Sequence, residues 1–176
     1  MSVVRSGDAA YEVSKGRFSW TPSPGRGFRL DGGWWPGTAD PTTEYPELAG
    51  AVAARGYGRI GYLQANTNDW VKHPATVALR GRTVPVGWFT MLFEHLLIVD
   101  CEYRLRLTLL VVPPGYAPAA AARALALAAD PEASTLGGEI LDAARAGRRP
   151  APHQPGALRR LGYRIRSSRS TPPDGR

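Results

Sequence analysis

The residues best suited to nucleophilic or metal chemistry are three histidines and one cysteine. A metal centre needs several His, Cys or carboxylate ligands at short, regular spacing. His73, His95 and His153 are scattered, and no HExxH or CxxC element joins them, so no metal ligand is assigned. A cysteine nucleophile needs a base within hydrogen-bond reach. His95 and Cys101 bracket a run that reads as a strand, and six extended residues span about 20 Å at roughly 3.3 Å each. Unless the chain folds back, the two do not meet. Acid–base chemistry would fall to Asp31, His95 or Asp100, but no spacing places two of these together, so no catalytic residue is assigned.

A literal dinucleotide fingerprint stands at Gly56-Tyr57-Gly58-Arg59-Ile60-Gly61. Its chemistry requires the glycines to follow a strand and open a helix, whose N-terminus then holds the pyrophosphate. Here they follow a helical pattern and open a β-rich run. Gly56 reads as a helix C-cap, and no cofactor is expected.

The remaining chemistry-bearing residues are aromatic and polar: Asp31, Trp34, Trp35, Asn66, Asn68, Asp69, Trp70, Trp88 and His95. Tryptophan brings large apolar area and one donor, which suits a pocket wall or a core corner. Two loops rich in Trp, Asp and Asn near sheet ends would form a cleft for a small molecule or a protein partner. The plainer role is structural, with Trp34 and Trp35 stapling their loop to the sheet and Asp31, Asn66 and Asn68 capping turns. Taken singly, the residue types favour that role.

These loops need elements to hold them. Residues 17–21 alternate as a short strand stopped by Pro22 and Pro24, and 28–30 form a second extended piece before a turn-rich loop at 31–37. Asp40-Pro41 is an N-cap with proline at the first helical position, and Pro46 is tolerated only if the helix proper begins there. Leu48, Val52 and Ala53 give the helical stripe, and 59–64 reads as a strand leading into the polar loop 66–70. The runs 75–79 and 82–89 form a hairpin through Arg80-Gly81, with Pro85 requiring an edge or a bulge. A second hairpin joins 96–99 to 103–112, where alternation predicts one buried and one partly wet face. Two helices follow, 119–129 and a final one marked by Leu136, Ile140, Leu141 and Ala144, weakened by Gly137-Gly138. The expected fold is α+β: one mainly antiparallel sheet of about five or six strands with two or three helices packed on one face.

Charge divides the chain. Residues 1–144 carry 13 Lys+Arg against 14 Asp+Glu, a net −1, whereas 145–176 carry nine Arg against Asp174 alone, a net +8. The body is neutral and the overall +7 belongs to a tail. The division predicts a flexible segment at 1–16, a domain over 17–146, and a basic, largely disordered tail over 147–176. Within the tail only 157–166 is free of proline and carries apolar anchors, so fewer than about ten residues there can dock. Arg148, Arg149, Arg159, Arg160, Arg164, Arg166 and Arg169 are the candidates for contact with nucleic-acid phosphates. One cysteine excludes an internal disulfide, and no segment is long and apolar enough to span a bilayer, so a reducing cytoplasm and no membrane partner are expected.

The motifs Leu30-Asp31-Gly32-Gly33-Trp34-Trp35-Pro36, Val86-Gly87-Trp88-Phe89, His95-Leu96-Leu97 and 109–115 (LLVVPPG), with the Asn-rich loop carrying Trp70, resemble an actinobacterial family of small proteins. That family is known only as domain of unknown function 5994. The resemblance covers about 28–145 and implies a shared fold, with no activity, substrate or site residue to carry over. The functional expectation is therefore a non-catalytic binding domain acting through its Trp-rich loops. A nucleic-acid- or ribosome-associated protein acting through the arginine tail is the alternative.

Overall fold

The computed structural model describes residues 16–25, 29–132 and 137–148. The expected N-terminal segment up to residue 15, Phe28, Leu136 and the tail from Arg149 lie outside these residues. Arg159, Arg160, Arg164, Arg166 and Arg169 lie outside them too. Among the described residues the chain is α+β, with three helices on one mixed sheet of seven strands.

The strands are β1 (Phe18–Trp20), β2 (Gly32–Trp34), β3 (Ile60–Asn66), β4 (Thr76–Leu79), β5 (Arg82–Phe89), β6 (Leu96–Cys101) and β7 (Arg106–Val111), in the spatial order β1-β2-β7-β6-β3-β5-β4. Two pairs are parallel, β2 with β7 and β3 with β5, and the rest are antiparallel. The expectation of a mainly antiparallel sheet of five or six strands thus needs correction. The added strand is β2, which arises inside the apparent loop 31–37. Its Gly32 has φ +150 and passes so close to β1 that a Cβ would lie 1.9 Å from the Ser19 carbonyl oxygen. Only glycine fits there. The two glycines that suggest a turn are what lets a strand enter between β1 and β7.

Helix α1 (Pro41–Ala54) begins at Pro41, and Asp40 accepts from the Thr42 N–H at 3.0 Å. Pro46 lies inside this helix rather than at its start. It forfeits the bond to the Thr42 carbonyl, a cost that the burial of Tyr45, Leu48 and Val52 on the same helix must offset. At the other end Gly56 (φ +75) donates to Ala53 and Tyr57 donates to Val52, a Schellman closure. The glycine fingerprint is therefore a helix stop followed by β3. The 76–89 hairpin turns at Arg80 and Gly81, both left-handed. Val86 donates to Ala75, so the nitrogen of Pro85 faces the opposite side of β5, where pairing with β3 starts only at Val86.

The helices cover both faces of the sheet. Leu107, Leu109 and Val111 of β7 pack with Tyr45, Leu48 and Val52 of α1. Leu110 and Val112 face the other way, onto Ala121, Ala124 and Leu125 of α2 (Pro118–Ala129) and Ile140, Leu141 and Ala144 of α3 (Gly137–Arg145). The expected wet face exists only along the first half of β7. The unbroken run Leu109 to Val112 is the pattern of a strand covered twice.

Strand direction decides where the loops gather. β2, β3, β5 and β7 all finish at one end of the sheet, and β6 starts there. Residues 35–40, 67–75, 90–95 and 112–117 therefore meet at that end. Val112 donates to the Trp34 carbonyl, Val111 to His95 and Val71 to Ala39.

Candidate functional site

At this end the loops after β3 and β5 are stitched together by side chains. Asn66 is buried; its amide donates to the Leu92 carbonyl at 2.5 Å and its oxygen accepts from the Asn68 N–H at 2.7 Å. Asn68 donates to Glu94 Oε1 at 2.9 Å. Asp69, whose side chain is 4% exposed, engages His95 with both carboxylate oxygens. Oδ2 accepts from the His95 backbone N–H at 2.8 Å, and Oδ1 lies 3.1 Å from Nδ1. The carboxylate favours the proton on Nδ1 and leaves Nε2 as an acceptor. His95 is held at φ +63, a left-handed conformation that His, Asn and Asp tolerate better than most residues.

His95 stands on the wall of a cavity of about 490 Å³. That volume lies in the roughly 300–1,000 Å³ range of ligand sites. Phe93, Glu94 and His95 form one wall, Tyr116 the second, and Gly138, Glu139, Leu141, Asp142 and Arg145 of α3 the third. The Arg145 guanidinium lies over the Tyr116 ring at 4.4 Å, and burial pushes the Tyr116 phenol up from its ordinary value. Gly137 lets the start of α3 sit on the sheet, since a Cβ there would meet Leu110 at 3.0 Å. Arg123 of α2 donates to the Ala144 carbonyl at 2.8 Å and ties the far end of α3 down.

The candidates read from sequence have different places in the structure. Only His95 lines the cavity, with Asn68 one step behind it through Glu94. Trp34 and Trp70 are core residues, their rings tilted against each other at 5.8 Å, with Tyr45 tilted on Trp34 and edge-on to Trp70, and their burial leaves no surface with which to touch a ligand. Burial first, then the nearby Asp69 charge, raise the Tyr45 phenol. Trp35 packs into the second core beside α2, and Trp88 donates to the Pro74 carbonyl at 2.8 Å while its ring meets His73 edge-on. Asp31 lies away from the cavity. It accepts from Gly25 and Thr108 and clamps the start of β2 to β7, and burial raises its carboxyl above the usual range.

The Trp-rich loops therefore converge, but as a scaffold behind the cavity. Sequence reasoning missed Glu94, Tyr116, Glu139, Asp142 and Arg145. A usable signal existed for three of them: Glu139, Asp142 and Arg145 recur every three residues on α3, opposite its apolar stripe. Cys101 is buried at the end of β6, where burial first and then the neighbouring Asp100 and Glu102 push its thiol to about 11, unsuited to nucleophilic work. Among the described residues no three His, Cys, Asp or Glu side chains group as metal ligands, and no helix is long and apolar enough to cross a membrane.

Fold and site define a small α+β domain whose mixed sheet carries a polar cleft at the end where its parallel strands finish. The chain belongs to a family of unknown function (DUF5994), whose profile matches residues 17–128. The match takes in Asp69, His95 and Tyr116, while α3 lies beyond it. No curated protein and no solved structure matches the chain.

Proposed function

We propose that this is a non-catalytic binding domain that takes a small molecule or a short protein segment in the cleft between the 90–95 loop and α3. One observation carries the reading: a buried Asp69 fixes His95 in a left-handed conformation on the cavity wall, with Nε2 unoccupied by Asp69. Backbone strain of this kind gathers at ligand sites, because the surrounding structure must be spent on maintaining it. Binding rather than catalysis is the reading because, among the described residues, no Ser, Thr or Cys lines the cavity to serve as a nucleophile for His95. The test is a thermal-shift screen of a fragment library on the full chain and on His95→Asn, a change that keeps a residue tolerant of positive φ. Fragments should raise the unfolding midpoint of the parent and leave the variant unmoved. Equal shifts in both would reject the assignment.

The arginine tail favours a second reading, contact with nucleic acid, through the net +8 that residues 145–176 carry. Neutralising six to nine phosphates gives a log–log salt slope of roughly −5 to −8 on duplex DNA. Replacing Arg159, Arg160, Arg164 and Arg166 by Gln should then reduce that slope by about 4; an unchanged slope rejects this reading. Twenty arginines to two lysines fit a GC-rich actinobacterial genome, and the lone buried thiol fits a reducing cytoplasm.

A further inference from the structure

The cleft has a charge signature that the chain itself can answer. Glu94, Glu139 and Asp142 line it, and among the described residues none of the three makes an ion pair. Arg145, the cleft's arginine, is turned onto the Tyr116 ring. Phe93, which is 45% exposed, supplies apolar surface beside the carboxylates. An occupant of matching chemistry would alternate cations with apolar side chains.

Residues 158–166 read Leu-Arg-Arg-Leu-Gly-Tyr-Arg-Ile-Arg, four arginines interleaved with Leu158, Leu161, Tyr163 and Ile165. We infer that this segment of the chain's own tail is the resident occupant of the cleft, its arginines on Glu94, Glu139 and Asp142 and its apolar side chains against Phe93. The inference rests on the reading of this cleft as the domain's recognition surface, and names its partner as an arginine-rich, apolar-studded peptide. Connectivity permits it. The described residues end at Arg148, three residues past α3, which is itself a wall of the cleft. The nine residues from there to Ala157 reach up to roughly 30 Å. The whole of α3 is only about 13 Å long at 1.5 Å per residue, so the segment can return onto it. Planar guanidinium groups suit carboxylates that hold no other cation: Glu139 and Asp142 are open to paired bonds, and Glu94 keeps Oε2 beside the Oε1 that accepts from Asn68.

The experiment uses the full chain carrying Ser167→Cys and a nitroxide on the new thiol; Cys101, buried and with its thiol pushed to about 11, does not compete for the label. Amide signals of Glu94, His95, Gly138 and Asp142 should lose intensity with the oxidised label and recover when it is reduced. Glu139→Gln with Asp142→Asn, two exposed positions on α3, should restore those signals in the labelled chain. Raising the salt should do the same, since screening shortens the reach of exposed charges to about 3 Å at 1 M. No loss at the cleft amides overturns the inference, as does a loss that survives the double variant. A loss that appears only when labelled and unlabelled chains are mixed also overturns it, since the contact would then be between molecules. Fragments that still act through His95 while the label shows nothing would reject the tail and leave the recognition surface standing; silence in both experiments rejects both.

Discussion

Removing the Asp31 carboxylate should unlock the edge of the sheet. Its oxygens accept from the Thr108 N–H at 2.8 Å and the Gly25 N–H at 2.6 Å, while its own N–H donates to the Thr108 carbonyl at 2.8 Å. The side chain thus substitutes for a ladder bond where the β2–β7 pairing begins. In Asp31→Ala the Thr108 N–H, on a strand between two neighbours, is stranded at a cost of about 1–3 kcal/mol. Gly25 is exposed, so water replaces most of the second bond at under about 1 kcal/mol. Relief of the buried charge offsets part of this, leaving a net loss of about 2 kcal/mol, or very roughly 8 °C in Tm for a domain of this size. Urea unfolding followed by tryptophan fluorescence reads the change directly. The same carboxyl gives a pH signature. Burial raises its pKa above the unfolded value near 3.9, so the native state binds more protons in that window and stability falls as pH rises through it. Asp31→Ala should lose this falling component. A variant within about 0.5 kcal/mol of the parent, the size of an ordinary surface change, would refute the clamp.

Gly32→Ala should abolish native folding or cost well over 3 kcal/mol, since its Cβ would meet the Ser19 oxygen at 1.9 Å; circular dichroism of the purified variant checks this. Trp34→Ala should cost about 3–5 kcal/mol in denaturant midpoint, because Trp34 is fully buried, without altering what binds the folded fraction. Asp40 is held near 2 chiefly by its hydrogen bond from Lys72, so its contribution is present above the unfolded value near 3.9 and disappears as pH falls toward 2. Asp40→Asn should flatten the stability–pH curve on that acid limb, and an unchanged limb would contradict the pairing.

Much of this architecture is legible in the chain. Asp40-Pro41, Gly56, the Arg80-Gly81 hairpin and the α2 alanine run announce themselves because each is decided by local backbone chemistry. What local chemistry does not decide is which strands become neighbours. β2 is hidden in a glycine-rich stretch because it needs close approach to β1 rather than side-chain alternation. Pro46 sits inside α1 because tertiary packing of Tyr45, Leu48 and Val52 outweighs one missing donor. The site is hidden for the same reason. Asp69 and His95 stand far apart in sequence and meet only because β3 and β5 run parallel and end together. The tryptophans, by contrast, draw attention through residue type, and burial makes Trp34 and Trp70 the support of the site instead of its surface.

The measurement that bears most directly on the account is amide chemical-shift mapping of the full chain with the fragment that raises its unfolding midpoint most. The shifts should concentrate on Glu94, His95, Gly138 and Asp142 and vanish in His95→Asn. Shifts centred instead on Ala49, Ile60 and Leu79, which line a smaller hollow between α1 and the β4 edge, would contradict it.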